Sequence, residues 1–532
     1  MDAPTRRQFL RRGATWGALG LGVAAGAALG GCAATNSSPA STTGPTTTSP
    51  RRSASEVEWR RLERSLGGTL VRPHDASYAR DRLLFDAALA PTHPEAIAYC
   101  ASTDDVARCL AFAREHDIAV TARSGGHSYA GYSSNDGLVI DVSPLASVRV
   151  DDATPSVAVG AGTRLIDLYD ALAAKGRLVP AGSCPSVGVA GLTLGGGVGV
   201  LSRRYGLTCD NLIETTTVMA DATVVTVNAA SHSELLWAQR GGGGGNFGVT
   251  TSLTFRTHDV PPLVLFSLRF PWASARDVVT AWMAWVPKQP DELWANCRLE
   301  SAGTDGLDVQ VSGVWSGSVS NLDGLLNSFV AAAGVAPTAR FVGGDDFLAA
   351  MSIEAGCSTL SIAACHLSGD GVGVLSRSAF RAKSSFVVAP WSAARVENAL
   401  SSLEELAGRA PDLGAALAFD ALGGAVSRIG DSDTAFAHRS AIADVQATHS
   451  WSTYSAPSQI RAGDAWLRDL ATSVFEPADG AYVNYIDPSL EGWLGAYYGD
   501  HVARLSRVKR WADPDDVFHF AQSIPVRVGS RV

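Results

Sequence analysis

The stretch Arg123-Ser-Gly-Gly-His-Ser-Tyr-Ala-Gly131 places His127 in a loop that contains three glycines. A second stretch, Gly182-Ser-Cys-Pro-Ser-Val-Gly188, places Cys184 in a similar setting. Glycine adopts positive φ and lets the backbone approach a ligand closely, so both loops are typical of cradles for a large anionic cofactor. Imidazole and thiolate are both nucleophiles. Together the two loops predict a cofactor that is held by two covalent bonds.

A glycine run, Gly191-Leu-Thr-Leu-Gly-Gly-Gly-Val-Gly199, follows the cysteine loop. Its backbone N–H groups and those of Arg123–Ser128 predict a pyrophosphate site, because oriented N–H dipoles attract anions. The stretch Gly160-Ala-Gly162 resembles the start of a dinucleotide fingerprint. Leu165 occupies the third glycine position of that fingerprint, which argues against a Rossmann site.

Both loops resemble the FAD-binding domain of the berberine bridge enzyme-like family, within the vanillyl-alcohol oxidase/PCMH superfamily. In bicovalent members of that family the histidine bonds the methyl carbon of the flavin's benzenoid ring, and the cysteine bonds carbon 6. The resemblance therefore implies FAD, attached through His127 and Cys184. It covers about residues 70–260 and 480–523 strongly, and the residues between them weakly.

The resemblance also implies a set of flavin-contacting residues, and Asp210-Asn211 and Gly245–Val249 are expected to be strands of this kind. We expect Phe247 and Val249 to anchor the second of these strands. The predicted cofactor-binding residues are Arg123, Ser124, Gly125, Gly126, His127, Ser128, Cys184, Val187, Gly188, Gly191, Gly195, Gly196, Gly197, Asp210, Asn211, Val249 and Asn484.

The chain's composition limits the classes of function. It has 532 residues, 46% of them hydrophobic, which is enough for two lobes with large cores. Its formal net charge is −9, and no basic patch of the kind that binds nucleic acid is present. We find no P-loop, no His-Glu-x-x-His, no Gly-x-Ser-x-Gly and no zinc-type spacing. We therefore expect neither a nucleic-acid partner nor a metal ion.

The order of predicted elements gives an α+β fold in three parts. Strands alternate with helices over residues 56–260, which the resemblance identifies as a two-subdomain, PCMH-type FAD-binding domain. The pattern of predicted strands and helices changes at Pro261-Pro262. Residues 261–477 predict a substrate domain with an antiparallel sheet covered by helices. The resemblance implies that residues 478–532 return to the FAD-binding domain and close the site.

The N-terminus carries export signals. Thr5-Arg6-Arg7-Gln8-Phe9-Leu10 fits the twin-arginine pattern, and Leu29-Gly-Gly-Cys32 resembles a lipobox. We expect residues 1–32 to be the signal and residues 33–55 to be a flexible Ser/Thr/Pro tether. The twin-arginine route exports folded proteins, which suits a chain that loads its cofactor before export. Two alternatives remain open. The protein is anchored to the membrane only by a lipid at Cys32, or it is cleaved nearby and secreted.

Seven cysteines remain after the signal is removed. Cys357 and Cys365 are near enough in sequence for a disulfide, but the pairing cannot be deduced from the sequence.

Tyr485 is the predicted general base, because Asn484-Tyr485 resembles the family's Asn-Tyr segment. A phenolate can take a hydroxyl proton while hydride leaves the neighbouring carbon. The free phenol has a pKa of ~10, so a cation or hydrogen bonds would be needed to lower it. Tyr482 competes for this role, although on a regular strand it would face the opposite side. Tyr129 and Tyr132 could also line the site.

The substrate lobe is harder to interpret from sequence. Phe436-Ala-His-Arg439, followed by Gln446 and Trp451, resembles a family segment that usually carries proline where this chain has Ala437. This departure weakens a substrate role for Gln446, which could equally be a solvated or core polar residue. Phe380-Arg-Ala-Lys-Ser384 also resembles a segment of the family, but the sequence gives no role for it.

The sequence thus predicts an exported FAD-dependent oxidase. It would abstract hydride from an alcohol or hemiacetal carbon of a carbohydrate or a secondary metabolite, and O2 would reoxidise the flavin to give H2O2. One alternative is a dehydrogenase with another electron acceptor. A second is a surface solute-binding lipoprotein without catalysis, against which the joint presence of His127, Cys184 and Tyr485 argues.

Overall fold

The computed structural model describes residues 54–302, 306–527 and 529. The predicted signal 1–32 lies outside the described residues, and so does the tether except for Ala54 and Ser55. Ser55 is the N-cap of the first described helix, where its side chain accepts a hydrogen bond from the Glu58 N–H. Within the described residues, no helix has the length and apolar character needed to cross a membrane.

The α-helices and β-strands of the described residues are numbered here in chain order. The helices are α1 Glu56–Ser65, α2 Tyr78–Asp81, α3 Thr103–Glu115, α4 Leu165–Ala173, α5 Val189–Leu194, α6 Ser202–Tyr205, α7 Ser233–Ala238, α8 Ala275–Trp285, α9 Val319–Ala333, α10 Phe347–Glu354, α11 Ala393–Arg409, α12 Ala425–Arg428, α13 Pro457–Ser473, α14 Trp493–Tyr498 and α15 Val502–Ala512. The strands are β1 Thr69–Val71, β2 Ala96–Tyr99, β3 Val120–Arg123, β4 Leu138–Asp141, β5 Val148–Asp151, β6 Ser156–Gly160, β7 Arg177–Leu178, β8 Leu212–Val218, β9 Val224–Asn228, β10 Val249–Arg256, β11 His258–Asp259, β12 Leu263–Phe270, β13 Leu293–Ala302, β14 Leu307–Trp315, β15 Ala339–Asp345, β16 Ala379–Val387, β17 Gly414–Ala421 and β18 Ala443–Trp451.

Besides the two-stranded antiparallel pairing of β7 with β11, the described part of the first lobe contains two larger sheets. One has the order β1-β2-β4-β3, in which β4 runs parallel to both β2 and β3. Every residue of β4 is buried, as expected for a strand that has a parallel neighbour on each side. The second sheet, β5-β6-β10-β8-β9, is antiparallel throughout. Mixed and antiparallel sheets beside helices confirm the predicted α+β class.

The predicted strand over Gly245–Val249 is wrong, because β10 begins only at Val249. Gly245 and Gly248 have φ of 73° and 153°, which breaks the extended backbone. The Asn246 amide donates hydrogen bonds to the carbonyls of the preceding glycines and so holds a turn. Phe247 is buried in this turn rather than in a strand.

The second lobe is a seven-stranded antiparallel sheet with the order β15-β12-β14-β13-β17-β18-β16. Side chains alternate between its faces, as the pleat requires. Phe419 on one face packs against Trp282 of α8 and against Trp391, so helices cover that face. The opposite face is polar and carries Asn296 and Asp420. The predicted antiparallel sheet covered by helices is confirmed.

The C-terminal segment packs against the first lobe. The Tyr482 hydroxyl accepts a hydrogen bond from the Gly197 N–H at 2.7 Å. Lys509 in α15 is fully buried and donates to the Asn246 carbonyl at 2.9 Å. These contacts bring the segment over the glycine loops of the first lobe.

In the second lobe, Cys357 and Cys365 form a disulfide with Cα atoms 5.8 Å apart.

Candidate active site

A cavity of about 310 Å³ lies between the two sheets of the first lobe, the polar face of the second lobe and the C-terminal segment. Thirteen of the residues predicted for cofactor binding or catalysis line it. They are Arg123, Ser124, Gly125, Gly126, His127, Ser128, Cys184, Val187, Gly188, Gly191, Val249, Asn484 and Tyr485. Tyr129 and Tyr132 line it as well. The fold thus gathers residues that are up to 362 positions apart, from Arg123 to Tyr485, around one space.

His127 lies in the wall of this cavity with its imidazole ring stacked on Phe85, the ring centroids being 4.0 Å apart. Its Nε2 lies 3.0 Å from the Ser186 hydroxyl. Burial, together with the nearby Arg164 cation, lowers the pKa of His127 to about 3. The imidazole is therefore neutral at physiological pH, and the neutral form is the nucleophile.

Cys184 shares a neighbour with His127, because its Sγ lies 3.9 Å from the same Ser186 hydroxyl. Burial raises the pKa of the Cys184 thiol, and hydrogen bonds from Ser186 and Val187 oppose this shift only in part. The thiol is thus protonated before it reacts. Sequence reasoning missed Ser186. It lies within the quoted Gly182–Gly188 stretch and carries the one side-chain hydroxyl between Cys184 and Gly188.

The residues of the first lobe fit a flavin dinucleotide. Gly191 lines the cavity, and a Cβ built on it would have no heavy atom within 4 Å, so the backbone there is open to a ligand. Arg123 pairs with Asp141, yet its Nη1 is buried without a hydrogen-bond partner among the described residues. An unpartnered buried guanidinium N–H beside glycine N–H groups suits an anionic ligand.

Gly195, Gly196 and Gly197 were predicted to bind the cofactor, but they do not line the cavity. A Cβ on Gly195 would lie 2.0 Å from the Asn484 Oδ1. Gly197 has φ of 91°, and a Cβ there would lie 2.2 Å from the Thr208 Oγ1. These glycines are needed because the C-terminal segment and Thr208 approach the backbone closely.

Asp210 and Asn211 also lie away from the cavity wall, in a 3₁₀ helix over Thr208–Asn211 rather than in the expected strand. The Asp210 carboxylate accepts two hydrogen bonds from the Arg439 guanidinium, at 2.7 and 2.9 Å. The Asn211 amide donates to the backbone carbonyls of Tyr205 and Leu207. Both residues therefore hold the local fold.

We expect Asp210→Ala to lower the free energy of unfolding by about 3–5 kcal/mol, because it leaves the Arg439 cation buried and unpaired. Both side chains of this pair are at most 3% exposed. The matched control is Glu405→Ala, which removes an exposed partner of Arg409 and should cost at most about 1 kcal/mol. Denaturant unfolding measures both values. Equal losses in the two variants would contradict the structural role of Asp210.

Tyr485 and Tyr482 lie in contact, with ring centroids 5.0 Å apart, because Val483–Tyr485 is a 3₁₀ helix and not a strand. The expectation that the two rings face opposite sides is therefore wrong. The Tyr482 hydroxyl accepts hydrogen bonds from Gly197, Val198 and Asn484. Within the described residues we find no hydrogen bond to the Tyr485 hydroxyl, and Tyr485 lines the cavity.

The surroundings of Tyr485 are acidic rather than basic. Burial raises the pKa of Tyr485 well above its usual value, and the carboxyl groups of Asp444 and Asp420 add to this shift. The cation that a resting phenolate would need is not among these neighbours. Tyr485 is thus a neutral phenol at physiological pH and needs a partner that accepts its proton.

Three acidic residues near the cavity were missed by the sequence reasoning. Asp420 and Glu354 line the cavity, and Asp444 lies beside Asp420 on the next strand. Burial raises the pKa of Asp420 to about 6, although Arg298 opposes the shift, and it raises the pKa of Glu354 to about 8. The period-two pattern Asp444, Gln446, Thr448 was the signal in the sequence that these polar residues share one face of a strand.

The structure places two further segments of the second lobe. Gln446 lines the cavity, and its amide donates a hydrogen bond to the Tyr129 hydroxyl at 3.2 Å. Lys383, from the stretch with no derivable role, is paired with Asp487 and donates to Ser489 at 2.7 Å. This pair ties the second lobe to the C-terminal segment. Across residues 54–302, 306–527 and 529, no group of three or more His, Cys, Asp or Glu side chains is arranged to hold a metal ion.

Comparison with known proteins identifies two family models in the chain. The model described as FAD binding domain matches residues 94–228, and the model described as berberine and berberine like matches residues 481–525. Uncharacterized FAD-linked oxidoreductase YgaK of Bacillus subtilis (strain 168) is 33% identical over 465 residues, which are 86% of this chain and 97% of that protein.

Solved structures are similar over most of the chain. Physcomitrella patens BBE-like 1 superposes with a TM-score of 0.79 at 30% identity, and the match covers 88% of this chain and 99% of that one. A chitooligosaccharide oxidase superposes with a TM-score of 0.78 at 25% identity, with the same coverage.

Proposed function

The chain belongs to the berberine bridge enzyme-like family of FAD-linked oxidoreductases, and on this premise we propose that it oxidises an alcohol or hemiacetal carbon of a carbohydrate or a secondary metabolite, with O2 as the electron acceptor. One observation carries the proposal. The cavity has two nucleophiles, His127 and Cys184, in one wall and the free hydroxyl of Tyr485 in another. The first pair suits attachment of the flavin ring, and the phenol suits a substrate hydroxyl placed between them.

The proposed cofactor is FAD attached through both His127 and Cys184. Ser186 contacts both side chains, so the two nucleophiles lie at one place on the cavity wall. Arg123 and the glycine N–H groups of the same wall suit the pyrophosphate. When bound, FAD would supply the redox chemistry, because its flavin ring can accept a hydride, which carries two electrons, from the substrate carbon.

The residues of the chain would handle the proton. A substrate hydroxyl placed at Tyr485 passes its proton to the phenolic oxygen, and the phenolic proton passes in turn to a carboxylate. Asp420 is the carboxylate that suits this role, since it lines the cavity and acts electrostatically on Tyr485. With a pKa raised to about 6, Asp420 is ionised at neutral pH yet basic enough to accept a proton.

The polar face of the second lobe is suited to bind a hydroxylated substrate. Asn296, Arg298 and Gln446 line the cavity beside the apolar ring of Trp294. Donors and acceptors next to an indole ring suit a sugar or a glycosylated compound, which presents both hydroxyl groups and apolar C–H surfaces. The similarity to a chitooligosaccharide oxidase supports a carbohydrate as the first class to test.

Anaerobic mixing of the holoenzyme with a panel of oligosaccharides and alcohols tests the proposed function. We expect a member of the panel to bleach the flavin absorbance, because oxidation of the substrate reduces the cofactor. Admission of air should then restore the absorbance and release one H2O2 for each substrate oxidised. Bleaching that is reversed only by an added dye would support the dehydrogenase instead. Absence of bleaching with every donor would contradict the proposed reaction.

We also propose that the enzyme is exported by the twin-arginine route and anchored at the cell surface by a lipid on Cys32. Support comes from the sequence alone, namely Thr5–Leu10 and the lipobox-like Leu29–Cys32. Cys32→Ser in the full chain tests the anchor, since the protein should move from the membrane fraction to the medium.

A further inference from the structure

Asp444 in β18 is a buried acid for which the proposed reaction has no role. Its side chain is 0% exposed, and both carboxyl oxygens lack a hydrogen-bond donor among the described residues. An ionised carboxylate buried without a donor or a cation is strongly disfavoured, so the group takes up a proton instead. Asp444 is therefore a neutral carboxylic acid, and its proton needs an acceptor.

The acceptor is given by the register of the sheet. Asp444 is the cross-strand partner of Asp420, and side chains in this relation have Cβ atoms roughly 4.5–5.5 Å apart. Both side chains lie on the cavity face, because Gln446 and Ala418, two residues along each strand, line the cavity. Two carboxyl groups this close cannot both ionise at low cost, which is the usual condition for sharing one proton.

The charges around the pair agree with a single negative charge. The titratable and charged groups that face it are Tyr129, Tyr482, Tyr485, Arg298 and Glu354. The three phenols and Glu354 are neutral at pH 7, as burial raises the pKa of each. Arg298 is the one cation of this set, and Glu300 binds it at 2.6 Å. One carboxylate, not two, suits this environment.

We propose that Asp420 and Asp444 share one proton, which Asp444 carries and donates to Asp420, so that Asp420 alone is the carboxylate that receives the proton of Tyr485. Asp444 is thus a positioning residue that acts through Asp420. The step balances: the substrate O–H proton moves to Tyr485, the Tyr485 proton moves to Asp420, and the hydride with its two electrons leaves to FAD. The O–H bond of Asp444 persists throughout. This assignment rests on the proposed oxidation at Tyr485.

Infrared spectroscopy of the holoenzyme without substrate tests the shared proton. A protonated carboxyl has a carbonyl band that a carboxylate lacks. Glu354→Gln first removes a second buried acid, whose pKa is raised to about 8 and which would contribute its own band at pH 7. In this background we expect a band at pH 7 that disappears in Asp444→Asn. Persistence of the band in Asp444→Asn would overturn the proposal. This readout needs no turnover, so it is separate from a failure of the proposed reaction.

Thermal unfolding of the holoenzyme gives a second readout without turnover. Burial raises the pKa of Asp444 well above its usual value in the folded protein. A group with a raised folded pKa stabilises the fold below its unfolded pKa of ~4, and this contribution is lost as pH rises. Asparagine does not titrate. The difference between the Tm of Asp444→Asn and the Tm of the native protein should therefore shift steadily in favour of the variant from about pH 5 to about pH 8. A Tm difference that is independent of pH would contradict a protonated Asp444.

The pH profile of flavin reduction tests the link to catalysis, once a substrate is known. The acidic limb reports protonation of Asp420, so the rate should fall below a pH of about 6. Asp444→Leu removes the donor to the Asp420 carboxylate and should move this limb upward by ~1 pH unit, which is a tenfold change in the ionisation constant. Asp444→Asn keeps a neutral donor and should move it less. An acidic limb at the same pH in Asp444→Leu and in the native enzyme would overturn the role of Asp444.

Discussion

The double variant His127→Ala, Cys184→Ala is expected to lose all acid-stable flavin, whereas each single variant retains it through the remaining bond. The reason is geometric, since both side chains lie in the wall of one cavity and contact the same Ser186 hydroxyl. The neutral imidazole of His127 needs no deprotonation to react, because its pKa is lowered to about 3. The Cys184 thiol must first lose its proton, because burial raises its pKa.

The measurement is the intact mass of the acid-denatured mature protein, produced with flavin available. We expect the mass of the native protein to exceed that of the polypeptide by about one FAD, less the few hydrogens lost as the two bonds form. Cys297→Ala is the matched control, as Cys297 is also a free thiol but is fully buried and does not line the cavity. A native protein at the bare polypeptide mass would contradict covalent attachment. Flavin retained in the double variant would show that other residues attach it.

Tyr485→Phe is expected to slow flavin reduction by ~10²–10⁴-fold, the usual contribution of a positioned general base. Phenylalanine keeps the ring that packs between Tyr129 and Tyr482, so the covalent flavin and the fold should be retained. Only the hydroxyl that faces the cavity is lost. Because no hydrogen bond to this hydroxyl is found within the described residues, its removal leaves no buried partner unsatisfied.

Stopped-flow reduction under anaerobic conditions measures this effect, with Tyr78→Phe as the matched control. The Tyr78 hydroxyl is buried and donates to the Pro94 carbonyl, away from the cavity. That variant should reduce at the native rate with a somewhat lower stability, because a hydrogen bond is worth about 1 kcal/mol. A Tyr485→Phe enzyme that reduces at nearly the native rate would remove Tyr485 from the mechanism.

Much of the site was predictable because its chemistry is local in sequence. The His127 and Cys184 loops each carry their own glycines, and the structure brings both loops to one cavity. The disulfide partners Cys357 and Cys365 are eight positions apart and pair as their spacing allowed. In each case the conformation follows from a short segment, so the residues alone were informative.

The wrong strand assignments, and the structural roles that the sequence did not indicate, belong to segments that depend on distant contacts. Cofactor binding by Gly195–Gly197 stays a prediction, and the structure adds that their lack of side chains allows the close approach of Asn484 and Thr208. Cofactor binding by Asp210 also stays a prediction, and the structure adds that the Arg439 guanidinium, 229 residues away in sequence, binds its carboxylate. The tyrosine spacing suggested opposite faces because a strand was assumed where a 3₁₀ helix forms.

The sequence by itself determined the family and the α+β class, and it predicted the two nucleophiles and the candidate base, because the glycine loops and the order of strands and helices appear in local sequence patterns. Only the tertiary structure decided the electrostatic setting of that base. Asp420 and Asp444 are 24 residues apart and become neighbours through the register of β17 and β18. Burial then sets their protonation, and burial is a property of the whole fold, since it depends on which surfaces exclude water.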